Sequence, residues 1–396
     1  MKLAMRLALV ALVTSVAVPL PAAPRAIKSA TASKPAAPTE APLIDIKPDL
    51  KTGKIIATFP KPDADGVAAR YIYLTQIETG LGSAALGFDR GASSGTRILA
   101  FRRIGKKVAA EIENPKFVAP NGTSDEQAGV RRSFATSTIW MGDVIDSKPD
   151  GAFTADLAPF LARDDLGIAQ ALKDGGGGEF RFVPELSAAD PSFVKTFPKN
   201  VELAATLTFR SDKPSAEVGN IIPDRDAITL TERHSLIALP EPGYVPRHDP
   251  FGYTIGRQQV DFSAPLGSAL VSDLANRFRL EKVDPTAARS PVKKPIVFYI
   301  DRAAPEPMRS ALREGVNWWS RAFDAAGFEN AFRAEILPEG IDPLDVRYNV
   351  VNWVNRATRG WSYGQPLDDP RTGEIIKGSV ILGSLRARQD LSLIHI

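Results

Sequence analysis

The chain has 396 residues, 44% hydrophobic and 24% charged, with a formal net charge of +3. That length predicts two or three domains with sizeable cores, and that composition excludes both disorder and a bundle of membrane spans. Cysteine is absent and there are three histidines, His234, His248 and His395. Disulfides, thiolate metal sites and thiol nucleophiles are therefore excluded, and no run of basic residues marks a nucleic-acid interface.

The N-terminus reads as an export signal over residues 1–22. Lys2 and Arg6 precede an apolar run over residues 7–18, and small residues follow at Ala22 and Ala23. The run is shorter than the roughly 20 residues a spanning helix needs. Cleavage is expected after Ala22, with an uncleaved anchor as the alternative. Later segments lack a membrane span, so the mature chain is expected outside the cytoplasm, periplasmic or extracellular. Residues 23–42, rich in Ala, Pro, Ser, Thr and Lys, read as a flexible linker.

Residues 43–240 carry a strand pattern and predict a β-rich N-terminal domain. Expected strands are 54–59, 70–77, 97–102 and 107–113 across a turn at Gly105, then 201–209 and 227–239, all rich in Ile, Val, Thr, Phe and Tyr. A short helix is expected over 159–172. Residues 241–294, punctuated by Pro and Gly, read as a connector with a polar helical stretch near 270–280.

From 295 to 390 the texture becomes α/β. Residues 296–300 (IVFYI) predict a strand buried on both faces. Pro305 and Glu306 open a helix, whose Met308, Leu312, Trp319, Phe323 and Ala326 form one apolar stripe closed by Gly327. Trp319 is expected to be buried on that stripe. Strands follow at 332–337 and 348–354, and then a hairpin over 361–383. The fold class predicted is α+β, a β-rich N-terminal region followed by a mixed-sheet α/β part.

Local motifs offer little chemistry. Gly91-Ala-Ser-Ser-Gly95 has the G-x-S-x-G form, but a nucleophile elbow has a strand before the serine and a helix after it, whereas Ser93 leads into a strand. Asp174 and its four glycines have no following Gly-Lys-Ser/Thr and read as a surface turn. Asp63 and Asp65 lack the further ligands of a calcium loop. His234 and His248 are isolated and read as structural.

Several longer stretches do carry a resemblance. They are residues 234–240 (HSLIALP), 261–267 (DFSAPLG), 294–301 (KPIVFYID), 347–353 (RYNVVNW), 359–364 (RGWSYG) and 369–375 (DPRTGEI). In this order the chain resembles exported bacterial zinc-dependent metalloproteases, in which uncharacterised domains precede a metzincin-like catalytic domain. The resemblance implies that 295–390 is the front half of such a domain, that the full-length protein uses zinc, and that its partner is a peptide or protein substrate. It also implies an H-E-x-x-H helix with two zinc-ligating histidines and a general-base glutamate. This chain contains no H-E-x-x-H, so no catalytic residue and no metal ligand is assigned to it. The resemblance breaks off after Asp390, and residues 391–396 (LSLIHI) read as an artefactual junction or a variant ending, which removes His395 as a ligand. A substrate-binding edge strand is expected at Gly378, Ser379, Val380 and Ile381, with an ordinary internal strand as the alternative.

Three functions remain: an inactive fragment of an exported zinc metalloendopeptidase, a non-catalytic secreted binding module, and a serine hydrolase acting through Ser93.

Overall fold

A computed structural model describes residues 41–248, 257–358 and 360–395, side chains at 391 and 393–395 excepted. The expected signal, its cleavage site and most of the linker lie outside the described residues, as does Arg359. Within this range the chain first builds one long, curled antiparallel sheet. Its leading strands are β1 (Asp45–Asp49), β2 (Lys54–Phe59), β3 (Val67–Thr79), β4 (Arg97–Ile104) and β5 (Lys107–Glu113). A short β6 (Phe117–Val118) and helix α1 (Ser124–Ser133) lead to β7 (Ser137–Ser147) and β8 (Phe153–Asp156). Then come α2 (Ala158–Leu161), α3 (Ile168–Asp174), β9 (Arg181–Phe182), β10 (Ala188–Thr196), β11 (Asn200–Arg210), α4 (Ala216–Ile221) and β12 (Ala227–Ile237).

The order across the sheet is β1-β2-β8-β7-β5-β4-β3-β12-β11-β10, with β9 beside β11. It twists far enough to bring β1 against β10, and the Leu43 N–H donates to the Phe197 carbonyl at 3.4 Å. The result is barrel-like. Alternation decides what fills it: Ile55, Ala57 and Phe59 point inward, as do Leu99 and Phe101, Leu203 and Leu207, and Leu230 and Leu236. Helix α2 adds Phe160 and Leu161 to this interior, where Phe160 meets Tyr73, Phe101 and Trp140.

A second sheet comes from the remainder. After β13 (Arg257–Asp261) and β14 (Val271–Leu274) come β15 (Arg277–Phe278), β16 (Ser290–Pro291) and β17 (Ile296–Ile300). Next are α5 (Met308–Asn317), α6 (Ser320–Ala325), β18 (Phe328–Glu329), β19 (Phe332–Ile336) and β20 (Asn349–Val354). The chain then forms the hairpin β21 (Tyr363–Asp368) and β22 (Glu374–Gly383), followed by α7 (Ser384–His395). The order is β15-β22-β20-β17-β19, with β21 antiparallel to β22 and the other pairs parallel. One face packs on the outside of the barrel, where Ile72, Leu74, Ile98 and Ile237 meet Val346, Leu367 and Ile376. The other faces α5, with Ile300 and Val351 buried beside Leu312 and Val316.

Each strand expected before residue 240 is present. The α+β class with an α/β metzincin-like front half is corrected, because among the described residues strand takes 42% and helix 16%, most pairing is antiparallel, and such a half is not evident. Helices α5 and α6 are short and bury no residue. Three local expectations also change. The helix expected over 159–172 is two helices, because Gly167 turns left-handed at φ 68° and Asp164 accepts from the N–H groups of Ile168 and Ala169 at 2.6 and 3.1 Å. The helical stretch near 270–280 is instead strand, held by pairing with β13 and β22. Trp319 is 64% exposed rather than buried. The helix tightens there, with Trp318 and Trp319 bonding three residues back to Gly315 and Val316, so the apolar stripe loses register before reaching the sheet.

Candidate functional site

Charged side chains stand out in two otherwise apolar strands, β11 (NVELAATLTFR) and β12 (AITLTERHSLI). Their alternation sends them to opposite sides of the barrel wall. Glu232 and His234 point inward with Leu230 and Leu236, while Glu202, Arg233 and Ser235 point outward, toward the second sheet.

The inward group is sealed. Tyr73 Oη lies 2.7 Å from His234 Nδ1, and His234 Nε2 lies 3.1 Å from the Leu161 carbonyl. A carbonyl can only accept, so Nε2 carries the proton and Nδ1 accepts from the tyrosine. Burial pushes His234 down to about 3, so the ring is neutral. Asp165 receives Arg97 and Arg163, the latter at 2.9 Å. Burial also raises Glu232 to about 9, helped by the nearby Asp165, and neither of its oxygens has a hydrogen-bond partner in normal geometry. The Leu166 N–H is the donor facing it.

The outward group lines a cavity of about 480 Å3 between the barrel and the second sheet. Arg233 contacts Glu202 and Gln76 and bonds Glu78 Oε2 at 3.1 Å and Ser235 Oγ at 3.2 Å. Glu202 in turn accepts from Ser235 Oγ and Asn200 Nδ2, each at 2.6 Å. Asn200 pins the loop before β20 by donating to the Leu344 carbonyl at 3.0 Å and accepting the Val346 N–H at 3.0 Å. Lys195 Nζ pairs with Asp342 at 2.8 Å. From the second sheet comes Lys377, whose Nζ donates to the carbonyls of Pro343 at 2.5 Å and Asp345 at 3.2 Å. Burial lowers this amine to about 8, against the opposing pull of Glu202. A region like this can hold a small polar ligand.

The residues singled out in the sequence scatter. Ser93 borders the cavity, bridged to Gln76 in β3, and its Oγ donates to Gln365 Oε1 at 3.1 Å rather than to an imidazole. Asp63 accepts from the N–H groups of Asp65 and Val67, each at 2.9 Å, which uses it in a turn. The glycine run after Asp174 closes a turn in which Gly178, at φ 119°, lies where a Cβ would stand 2.6 Å from the Lys213 carbonyl. His248 bridges Leu274 and borders a separate groove of about 1120 Å3, near the stacked Phe117 and Phe134.

The expected edge position of Gly378, Ser379, Val380 and Ile381 is corrected. Their strand is internal, since β20 pairs with Ser379, Val380 and Ile381 on one side and β21 pairs with all four on the other. The hairpin folds β21 outward, so β21 takes the edge, and Pro366 removes one of its N–H donors.

Zinc, implied by the resemblance, does not fit the residues present. Both ring nitrogens of His234 are engaged, the nearest carboxylate oxygen, on Glu232, lies 3.8 Å from Nε2, and the neighbouring guanidiniums of Arg97 and Arg163 oppose a cation. Among the described residues no group of three or more His, Cys, Asp or Glu is placed to hold a metal ion.

Residues 91–283 match a domain of unknown function (DUF5117). The match begins in the loop before β4 and runs through β15, so it covers most of the barrel and the connector but not β1–β3. No curated protein and no solved structure matches the chain.

Nothing in the sequence pattern singles out Lys377. Glu202 and Arg233 were detectable in principle, as charges interrupting apolar strands.

Proposed function

We propose that this chain is a non-catalytic, scaffolding part of an exported zinc-dependent metallopeptidase, and that it holds no catalytic zinc itself. What supports this reading is the clustering of the resembling stretches. Residues 294–301, 347–353 and 369–375 are far apart in sequence, yet the first two supply the neighbouring strands β17 and β20 and the third forms the turn that opens β22 beside them. Three of the six resembling stretches thus meet in the second sheet, while 234–240 belongs to the barrel strand β12 and 261–267 to the connector. Lys2, Arg6 and the apolar run behind them support export.

The test compares this chain with the gene product extended downstream in frame, both assayed on an unfolded protein substrate with and without chelator. Chelator-sensitive cleavage by the extended protein alone is expected. Cleavage by this chain alone, or by neither, overturns the proposal. A binding module is the second reading, and the polar cavity between the sheets is the observation that favours it.

A further inference from the structure

The cavity between barrel and second sheet has an uneven charge balance. Three carboxylates line it, Glu78, Glu202 and Asp342, and each is paired with a lining cation. Of the four lining cations, Arg90 lies 3.8 Å from Asp301, Arg233 holds two glutamates and Lys195 holds Asp342. Of these four lining cations, Lys377 alone has no carboxylate among the described residues within ion-pair distance. Its ammonium donates to two main-chain carbonyls, and an ammonium has a third N–H to give. Arg90 is half exposed and Gly340 exposed, so the cavity reaches the surface. Its volume lies in the range of small-molecule sites.

We propose that this cavity binds a small organic carboxylate, with Lys377 as its counter-charge and the Ser379 hydroxyl and Gln365 amide as neutral hydrogen-bond donors. Asn352 Nδ2 donates to Ser379 Oγ at 3.0 Å, which leaves the serine its own proton to give, and Gln365 is the cross-strand partner of Ser379 on the same cavity lining. A desolvated ammonium gains more from an anion than an exposed one does, because little water competes. The charged groups facing the amine are Glu202, Arg233, Asp342 and Asp345. The carboxylate could be the free C-terminus of a short peptide or the acid of a sugar, and the test separates these. The site is independent of the peptidase reading.

Calorimetric titration of the full chain would use N-acetyl-trialanine, its C-terminal amide, and glucuronate. Saturable binding of at least one acid is expected, with the amide at least about tenfold weaker than the peptide acid if the peptide is the one bound. Peptide alone identifies a C-terminus, glucuronate alone a sugar acid, and both a carboxylate without further selection. Lys377→Met should abolish binding and Lys377→Arg should retain part of it. Since the amine titrates near 8, affinity of the unaltered chain should fall roughly tenfold between pH 7 and pH 9. That series decides the matter if Lys377→Met does not fold. No saturable binding by either acid, equal binding of the amide and peptide acid, unchanged affinity in Lys377→Met, or a flat profile from pH 7 to 9 would each overturn the proposal.

Discussion

The carboxylate of Asp89 grips the guanidinium of Arg356 at both ends, with Oδ1 2.8 Å from Nε and Oδ2 2.8 Å from Nη2. Both side chains are almost wholly buried. Asp89 belongs to the barrel loop over residues 80–95 and Arg356 follows β20, so the pair ties one sheet to the other. The Ala357 N–H donates to the Gly82 carbonyl at 2.7 Å and the Ala84 N–H to Thr358 Oγ1 at 2.8 Å, reinforcing the same seam.

Asp89→Ala should therefore cost about 3–5 kcal/mol, since it leaves a buried cation without its counter-charge. Adding Arg356→Met to it should recover part of that loss. Urea denaturation of both variants checks this, and a loss below about 1 kcal/mol would mean that water already reaches the pair.

Glu232 gives a pH signature. Its folded-state value, about 9, lies above the ordinary 4.5 of the unfolded chain, so between those values the folded state holds the extra proton. Stability from this group is then fully present below about 4.5 and declines as pH rises toward 9. Glu232→Gln keeps a neutral group in the same place, and should raise stability at pH 8 by about 1–3 kcal/mol. Unfolding midpoints of both proteins, followed from pH 5 to 9, should diverge with rising pH. Parallel curves would show that Glu232 is ionised in the fold.

Trp319→Ala should change stability by less than about 1 kcal/mol, because the side chain is largely in solvent. Phe160→Ala, which empties the barrel interior, should cost about 3–5 kcal/mol. Thermal melts of the two variants give the comparison, and a reversal of their order would place the tryptophan in a core.

Ser93 should resist a fluorophosphonate probe. Its hydroxyl is directed at the Gln365 carbonyl oxygen and has no imidazole to remove its proton. Mass spectrometry of the treated protein reads this directly, and stoichiometric labelling at Ser93 would revive the hydrolase reading.

The barrel strands were legible because period-two alternation is local, and each strand carries its own inward and outward faces. Strand β5 and the β21–β22 hairpin show how far that reaches, with turns set by Gly105 and by Asp369–Gly373. Failures came where a distant partner decided the outcome. Residues 270–280 have helical composition but become strand because β13 and β22 offer hydrogen bonds. Trp319 fits an apolar stripe on a regular helix, and only the tightened turn at Trp318 moves it out. The cavity was unreadable for the same reason: Lys377 and Glu202 are brought together across two sheets by pairing that no short window encodes.

The seam between β1 and β10 sets an order of events during synthesis. Leu43 leaves the ribosome long before Phe197, its hydrogen-bond partner, exists as chain. Until then β1 and β2 form a hairpin with one open flank and nothing to close against, and the barrel cannot be sealed by local steps alone. Folding therefore has a late, long-range event, slow for a chain of this topology, and in that interval the open flank is the place where a chaperone would find an accessible strand edge.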